Sequence, residues 1–276
     1  MRRSGGKADA SPSGETGRDG VDSSQATAFS AETMSTTTSE LLSLVLGKRD
    51  SLMPEELDAL AALPVRSVTF MHGETIIAQG PTPDESCLVV GGMALRSQAT
   101  HKPEPIVSAL HIPGDFVDLH AFVLEQLDHA VIAQGACKVQ FVKREHLVEI
   151  TDRFPHLTRL LWMLSLVDAK ISRAWLTAAA TLRAKERIGH MLCELHTRYG
   201  MIGFVKDDGF PMGLEQKDLA RIFGFSRTHV NRSVQELRAA GLLEWERGHV
   251  HLPDPERLKK MSHFDPGYLE VVRVRR

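Results

Sequence analysis

The segment Leu214-Glu215-Gln216-Lys217-Asp218-Leu219-Ala220-Arg221-Ile222-Phe223-Gly224-Phe225-Ser226-Arg227-Thr228-His229-Val230-Asn231-Arg232 constrains the fold more than any other stretch of the chain. Leu219, Phe223 and Val230 are spaced to fall inside two crossing helices, and Ala220 is small where such helices approach most closely. Gly224 stands where the turn between them needs a positive φ. Phe225 is placed to plug the turn, and Ser226 is a good N-cap because its hydroxyl satisfies an orphan amide. Any one of these residues would suit a plain helical hairpin. The residues beyond Arg232 argue for more. The second helix continues through Ser233-Val234-Gln235-Glu236-Leu237, Gly241 closes it, and Leu242 to Leu252 alternates around Arg247-Gly248. Helix, turn, capped helix and hairpin in this order predict a winged helix-turn-helix, whose second helix enters the major groove of double-stranded DNA.

The rest of the chain divides by texture. Residues 1–40 are rich in Ser, Thr, Gly, Ala and Asp and poor in aliphatics, so a disordered tail is expected. Met34 precedes the first apolar run and offers a second translation start, which intact-mass measurement would reveal. Residues 41–153 begin with a helical pattern. They then turn to short apolar runs broken by Gly, Pro and Asp, such as Glu74–Ala78, Ser86–Val90 and Lys138–Val142. Short strands at regular spacing predict an antiparallel β-roll. Residues 154–181 read as one long helix, with Leu157, Leu161, Leu164, Asp168, Ile171, Trp175 and Ala178 along one stripe. Beside it runs a second stripe, Leu160, Leu164, Val167, Ile171 and Ala174. A face this wide asks for cover, from the roll on one side and a second copy of the helix on the other, where Asp168 would help set register. Residues 182–276 open with another amphipathic helix and carry the winged segment. The fold class is therefore α+β: a β-roll, a long dimerisation helix and a C-terminal winged helix-turn-helix.

A net charge of −2 on 276 residues excludes bulk coating of nucleic acid, so DNA binding must come from a local surface. Lys217, Arg221, Arg227 and Arg232 outnumber Glu215 and Asp218 there. Cys87, Cys137 and Cys193 lack metal-ligand spacing, fit a reducing compartment as small buried hydrophobes, and are too few for a four-thiolate iron–sulfur cluster. No run of about eighteen apolar residues spans a membrane and no apolar segment follows the basic first residues, so a cytoplasmic location is expected. No motif of a hydrolase, nucleotide-binding loop or zinc protease occurs, which speaks against an enzyme, and no motif names a cofactor.

On the order of its parts and on Ser226-Arg227-Thr228-His229-Val230-Asn231-Arg232, the chain resembles the Crp/Fnr family of bacterial regulators over about residues 41–252. It also resembles a subgroup carrying Val117-Asp118-Leu119-His120, Leu127-Asp128-His129 and His229-Val230-Asn231-Arg232. The resemblance implies a homodimer on a palindromic site, with RNA polymerase as a protein partner. Arg227 and Arg232 then have the geometry to fork onto guanine O6 and N7, while His229 and Asn231 reach phosphates or base edges and Lys217 a phosphate. Ser226 completes this set. Thr228 stands where many members carry a base-reading Glu, a departure that implies altered specificity at one base pair.

In the family, Gly-Glu and Arg-Ser hold the ribose and phosphate of a cyclic nucleotide. Here the corresponding stretches read Val117-Asp118-Leu119-His120 and Asp128-His129, and two carboxylates would repel a phosphate. Cyclic AMP is therefore not the expected ligand, and Asp118, His120, Asp128 and His129 are the candidate effector residues. A metal or haem role for His111, His120, His129 and His146 lacks ligand spacing, and structural histidines are the simpler expectation. The tail Arg273-Val274-Arg275-Arg276 is expected to be a solvated charged end. An alternative keeps the DNA-binding head but makes the roll a structural or protein-interaction module, with constitutive binding.

Overall fold

The computed structural model describes residues 37–101 and 105–276, so Met34 and most of the expected tail lie outside the described residues. The chain opens on α1 (Thr38–Gly47) and α2 (Pro54–Ala61). α1 starts ahead of residue 41 because of a reciprocal cap: Glu40 N donates to Thr37 Oγ1 at 3.3 Å and Thr37 N to Glu40 Oε2 at 2.7 Å.

Seven strands come next: β1 (Arg66–Phe70), β2 (Thr75–Ile77), β3 (Gly80–Pro81), β4 (Glu85–Gln98), β5 (Ile106–His111), β6 (Gln126–Leu127) and β7 (Ala130–Lys143). The main sheet is antiparallel in the order β1-β7-β4-β5, with β2 also on β7 and β3 paired separately with β6. Val89 faces Val139 and Leu95 faces Ile132 across the long β4–β7 ladder. That ladder shifts register around Gly91. Gly92 there has φ +77°, and a Cβ would stand 2.2 Å from the Ala136 carbonyl oxygen, so no side chain fits. Ile76, Cys87, Val89, Val117, Val131, Cys137 and Val139 fill the roll interior.

After α3 (Arg144–Arg153), α4 runs from Pro155 to Thr181. Its buried residues are Leu157, Leu160, Leu161, Met163, Val167, Ile171 and Ala178. The two stripes singled out in the sequence therefore pack largely within the chain. The apolar face left to solvent is a third one, with Trp162 at 66%, Leu166 at 50% and Leu176 at 71% exposure. Asp168 accepts a hydrogen bond from Arg96 Nη2 of β4 at 2.7 Å, tying α4 to the roll.

The C-terminal head comprises α5 (Ala184–Met201), β8 (Gly209–Pro211), α6 (Gln216–Phe223), α7 (Arg227–Ala239), β9 (Glu244–Glu246), β10 (His249–His251) and α8 (Pro255–Met261). It shares one continuous core with α1, α4 and the outer face of the roll. Polar contacts pin it further. Arg198 of α5 pairs with Asp115 and donates to the Leu110 carbonyl at 3.0 Å, and Gln134 of β7 donates to Asp218 Oδ2 at 3.0 Å. The C-terminal tail is tied to the chain by several contacts while Arg273, Val274 and Arg275 stay exposed, as its charge suggested. Val274 N donates to the Arg49 carbonyl at 2.9 Å, Arg276 pairs with Glu270 at 2.8 Å, and Arg273 reaches Ser51 Oγ at 2.9 Å. Arg49, Asp50 and Ser51, more than 200 residues away in sequence, receive several of these contacts, which no local pattern reveals. No helix among the described residues is long and apolar enough to cross a membrane.

Candidate nucleic-acid interface

α6 begins with Asp218 Oδ2 accepting from Glu215 N at 2.8 Å, a local cap that Gln134 of the roll shares. Leu219, Ile222 and Phe223 are buried on its inner face. Gly224 then adopts φ +69°, ψ +25°, and Phe225 N closes the turn on the Ala220 carbonyl at 3.1 Å. Ser226 has extended backbone, and its Oγ accepts from His229 N at 3.2 Å, a cap worth about 1 kcal/mol. Val230, Val234 and Leu237 pin α7 to the core at spacings of four and three.

Everything polar at the start of α7 is consequently turned outward. Ser226, Arg227, Thr228, Asn231 and Arg232 are exposed, and His229 is half-buried against Phe225 at 5.1 Å between ring centroids. Thr228 lies one turn below Arg232, and Arg227 one turn below Asn231, making two adjacent stripes on one surface. Arg232 is 70% exposed, with Glu236 at 3.9 Å as a weak local partner. No acidic residue occupies the first turn of α7, so its positive end is not neutralised by its own side chains. Lys217 is exposed and pairs with Glu215 at 2.9 Å, a hydrogen bond that raises its pKa and holds it charged.

Two residues not selected from sequence belong to this surface. Arg187 of α5 lies over the Phe223 and Phe225 rings, at 5.0 and 4.9 Å, and braces the turn. Arg247 is exposed at the tip of the β9–β10 hairpin with φ +47°, next to Gly248 at +76°. The Arg-Gly pair signalled the turn, but only the packing of Trp245 against Val250 and the added strand β8 fix where its tip stands.

The candidate effector residues divide. Asp118 is fully buried: Oδ1 accepts from Cys87 N at 2.8 Å, Oδ2 has no partner, and burial pushes its pKa up to about 7. It thus repels an anion less than a free carboxylate would. Asp128 is exposed and bonded to His129 Nδ1 at 2.7 Å. His120 and His129 lie 5.2 Å apart between ring centroids, and burial lowers the pKa of both, as it does for His111. His111 is within electrostatic reach of both rings, whereas His146 stands apart on α3 beside Glu145. Among the described residues no three His, Cys, Asp or Glu side chains are grouped to hold a metal ion. The three cysteines are buried, and burial pushes Cys137 and Cys193 up to about 12, away from thiolate chemistry.

Comparison with known proteins agrees with this geometry. Residues 186–261 match the Crp-like helix-turn-helix domain. The transcriptional activator protein FnrA of Stutzerimonas stutzeri is 25% identical over 207 residues, covering 74% of this chain and 83% of that protein. The transcriptional activator protein anr of Pseudomonas aeruginosa is 25% identical over 208 residues, with the same coverage of 74% and 83%. The fold is shared with FixK2 from Bradyrhizobium japonicum at a TM-score of 0.64, with 19% identity over 72% of this chain and 98% of that one. A winged head bearing that domain and relatives aligned over about three quarters of the chain support a regulator of the Crp/Fnr family, and the β-roll, long helix and winged head share that fold.

Proposed function

We propose that the protein regulates transcription in the cytoplasm as a homodimer on a two-fold-symmetric DNA site, with RNA polymerase as its protein partner, and that it does not answer to cyclic AMP. The observation that carries this reading is the outward display of Arg227, Thr228, Asn231 and Arg232 from a helix whose other face is locked in the core. Arg227 and Arg232 read guanines, His229 and Asn231 add phosphate or base-edge contacts, and Lys217, near the start of α6, meets a phosphate. The exposed stripe on α4 supports the dimer. Trp162, Leu166, Ala169, Arg173, Leu176 and Ala180 recur at alternating spacings of four and three, the repeat of a two-helix seam. Pairing the seam in parallel buries Trp162, Leu166 and Leu176, each worth about 1.5–3 kcal/mol when fully covered.

Within the roll, Asp118, His120, Asp128 and His129 mark the effector side. Arg96, a cation within electrostatic reach of both imidazoles, is already paired with Asp168, which leaves a cyclic phosphate no free guanidinium there. Selection of bound duplexes from a random pool, with and without candidate small molecules, tests the proposal. A palindrome with half-sites about one helical turn apart is expected. Recovery of unrelated sequences, or of single half-sites only, would refute it.

A further inference from the structure

A cavity of about 50 Å³ lies where the roll, α1, α4 and the head meet, and Arg49, His111, Asp115, Asp168, Arg198 and Leu269 help to line it. None of Asp118, His120, Asp128 and His129 does, so this is a separate place in the fold. At roughly 10–15 Å³ per water-sized sphere it takes about four waters, or one ion of three or four heavy atoms.

Arg49 is the unusual wall residue. It is 5% exposed, its Nη1 donates to the Val45 carbonyl and its Nη2 to the Leu269 carbonyl, both at 3.0 Å, and its Nε has no partner. Among the described residues no carboxylate oxygen comes within ion-pair distance of it. The carboxylates whose fields reach it are committed elsewhere: Asp115 to Arg198, and Glu270 to Lys170 and Arg276. Asp168 of the same cavity is held by Arg96. Arg198 and Arg276 add repulsion, and burial, the largest influence, lowers Arg49 to about 10. A guanidinium removed from water without a counter-ion is costly, and an anion seated against it removes most of that cost. His111 supplies a second buried nitrogen, Nε2, also without a partner, on an imidazole that burial keeps neutral.

We propose that this junction cavity binds a small monovalent oxyanion of the formate, nitrate or bicarbonate class, held by Arg49 Nε with His111 Nε2 as second donor. Its size excludes a nucleotide, and the carboxylates of Asp115 and Asp168 disfavour a dianion such as sulfate. The walls come from both halves of the molecule: Arg198 and Leu269 from the head, Arg49 and Asp115 from the roll side. An ion that binds only this docked arrangement stabilises it, so the anion would regulate how the head is held.

The test uses the full chain titrated with sodium formate and sodium nitrate, with ionic strength held constant by sodium sulfate. The ¹H–¹⁵N signals of arginine Nε groups are followed, together with the thermal midpoint. One Nε signal should shift saturably and be missing in Arg49→Lys. The midpoint should rise by about 3–6 °C at ten times Kd in the wild-type protein and stay put in that variant. Arg232→Ala should keep the whole response, which separates failure here from failure of the DNA reading. The proposal is overturned by wild-type protein with no saturable Nε shift up to about 50 mM anion. It is equally overturned if sulfate acts as well as formate, or if Arg49→Lys retains the thermal response.

Discussion

The start of α7 and the interior of the roll treat their polar residues in opposite ways. At the start of α7 the arginines, Thr228 and Asn231 point to solvent, and the local backbone is satisfied by Ser226 and by the turn at Gly224. In the roll and at its junction with the head, polar groups are turned inward, and several buried atoms are left without partners: Arg49 Nε, Arg96 Nε, Ser108 Oγ, His111 Nε2, Asp118 Oδ2 and His129 Nε2. Buried polar atoms are normally paired, because an unmade hydrogen bond costs about 1–3 kcal/mol. The contrast separates a surface that presents its polar groups outward from an interior in which several buried polar atoms have no partner within the chain.

The largest effect is expected where the contrast depends on assembly. Leu166→Asp puts a charge into the proposed α4 seam and should lower affinity for a palindromic duplex by about 100-fold or more, with a shift to monomer in sedimentation. A variant that remains dimeric and fully active would move the seam elsewhere. Arg232→Ala should lose about 1–3 kcal/mol on the selected site and relax discrimination at one base pair; a loss equal on all sequences would make Arg232 a phosphate contact. In the roll, Asp118 retains its proton in the folded state up to about pH 7, against 3.8 for a free carboxyl. Between those values the folded form binds more protons than the unfolded one, so the contribution of Asp118 is present at low pH and fades as pH rises. Asp118→Asn keeps an acceptor for Cys87 N but cannot ionise, and should stabilise the protein by about 1–2 kcal/mol at pH 8 and not at pH 4. Denaturation curves that stay parallel across this range would show Asp118 to be ionised in place. The smallest effect is expected at the wing. Arg247→Ala should weaken all duplexes alike by a few-fold and reduce the salt slope by about 1; a sequence-dependent loss would give the wing a reading role.

The same contrast explains what could be read from the sequence. The turn at Gly224, the cap at Ser226 and the inward set Leu219, Phe223 and Val230 depend on neighbours a few residues away, so spacing reveals them. α4 is apolar on more than one face, and periodicity cannot tell which stripe meets the chain itself and which is left open. That is why Leu157, Leu161 and Ile171 read as a seam while Trp162, Leu166 and Leu176 went unselected. Asp168 and Arg276 find Arg96 and the Arg49 carbonyl, their distant partners, only through the tertiary fold. β8 is three residues around Phe210 and has no signature without β10 beside it. The candidate effector residues were legible by type, but the inward turn of Asp118 and the bond pinning Asp128 to His129 were not.

In the proposed dimer, two copies of α7 present their exposed side chains to successive turns of one face of a duplex. Binding of the full-length protein to a selected palindrome is best compared with the same palindrome carrying five extra base pairs between its half-sites, which rotates one half-site by roughly half a helical turn. Affinity should fall by about 100-fold, to that of an isolated half-site. Equal affinity for the two duplexes would contradict it.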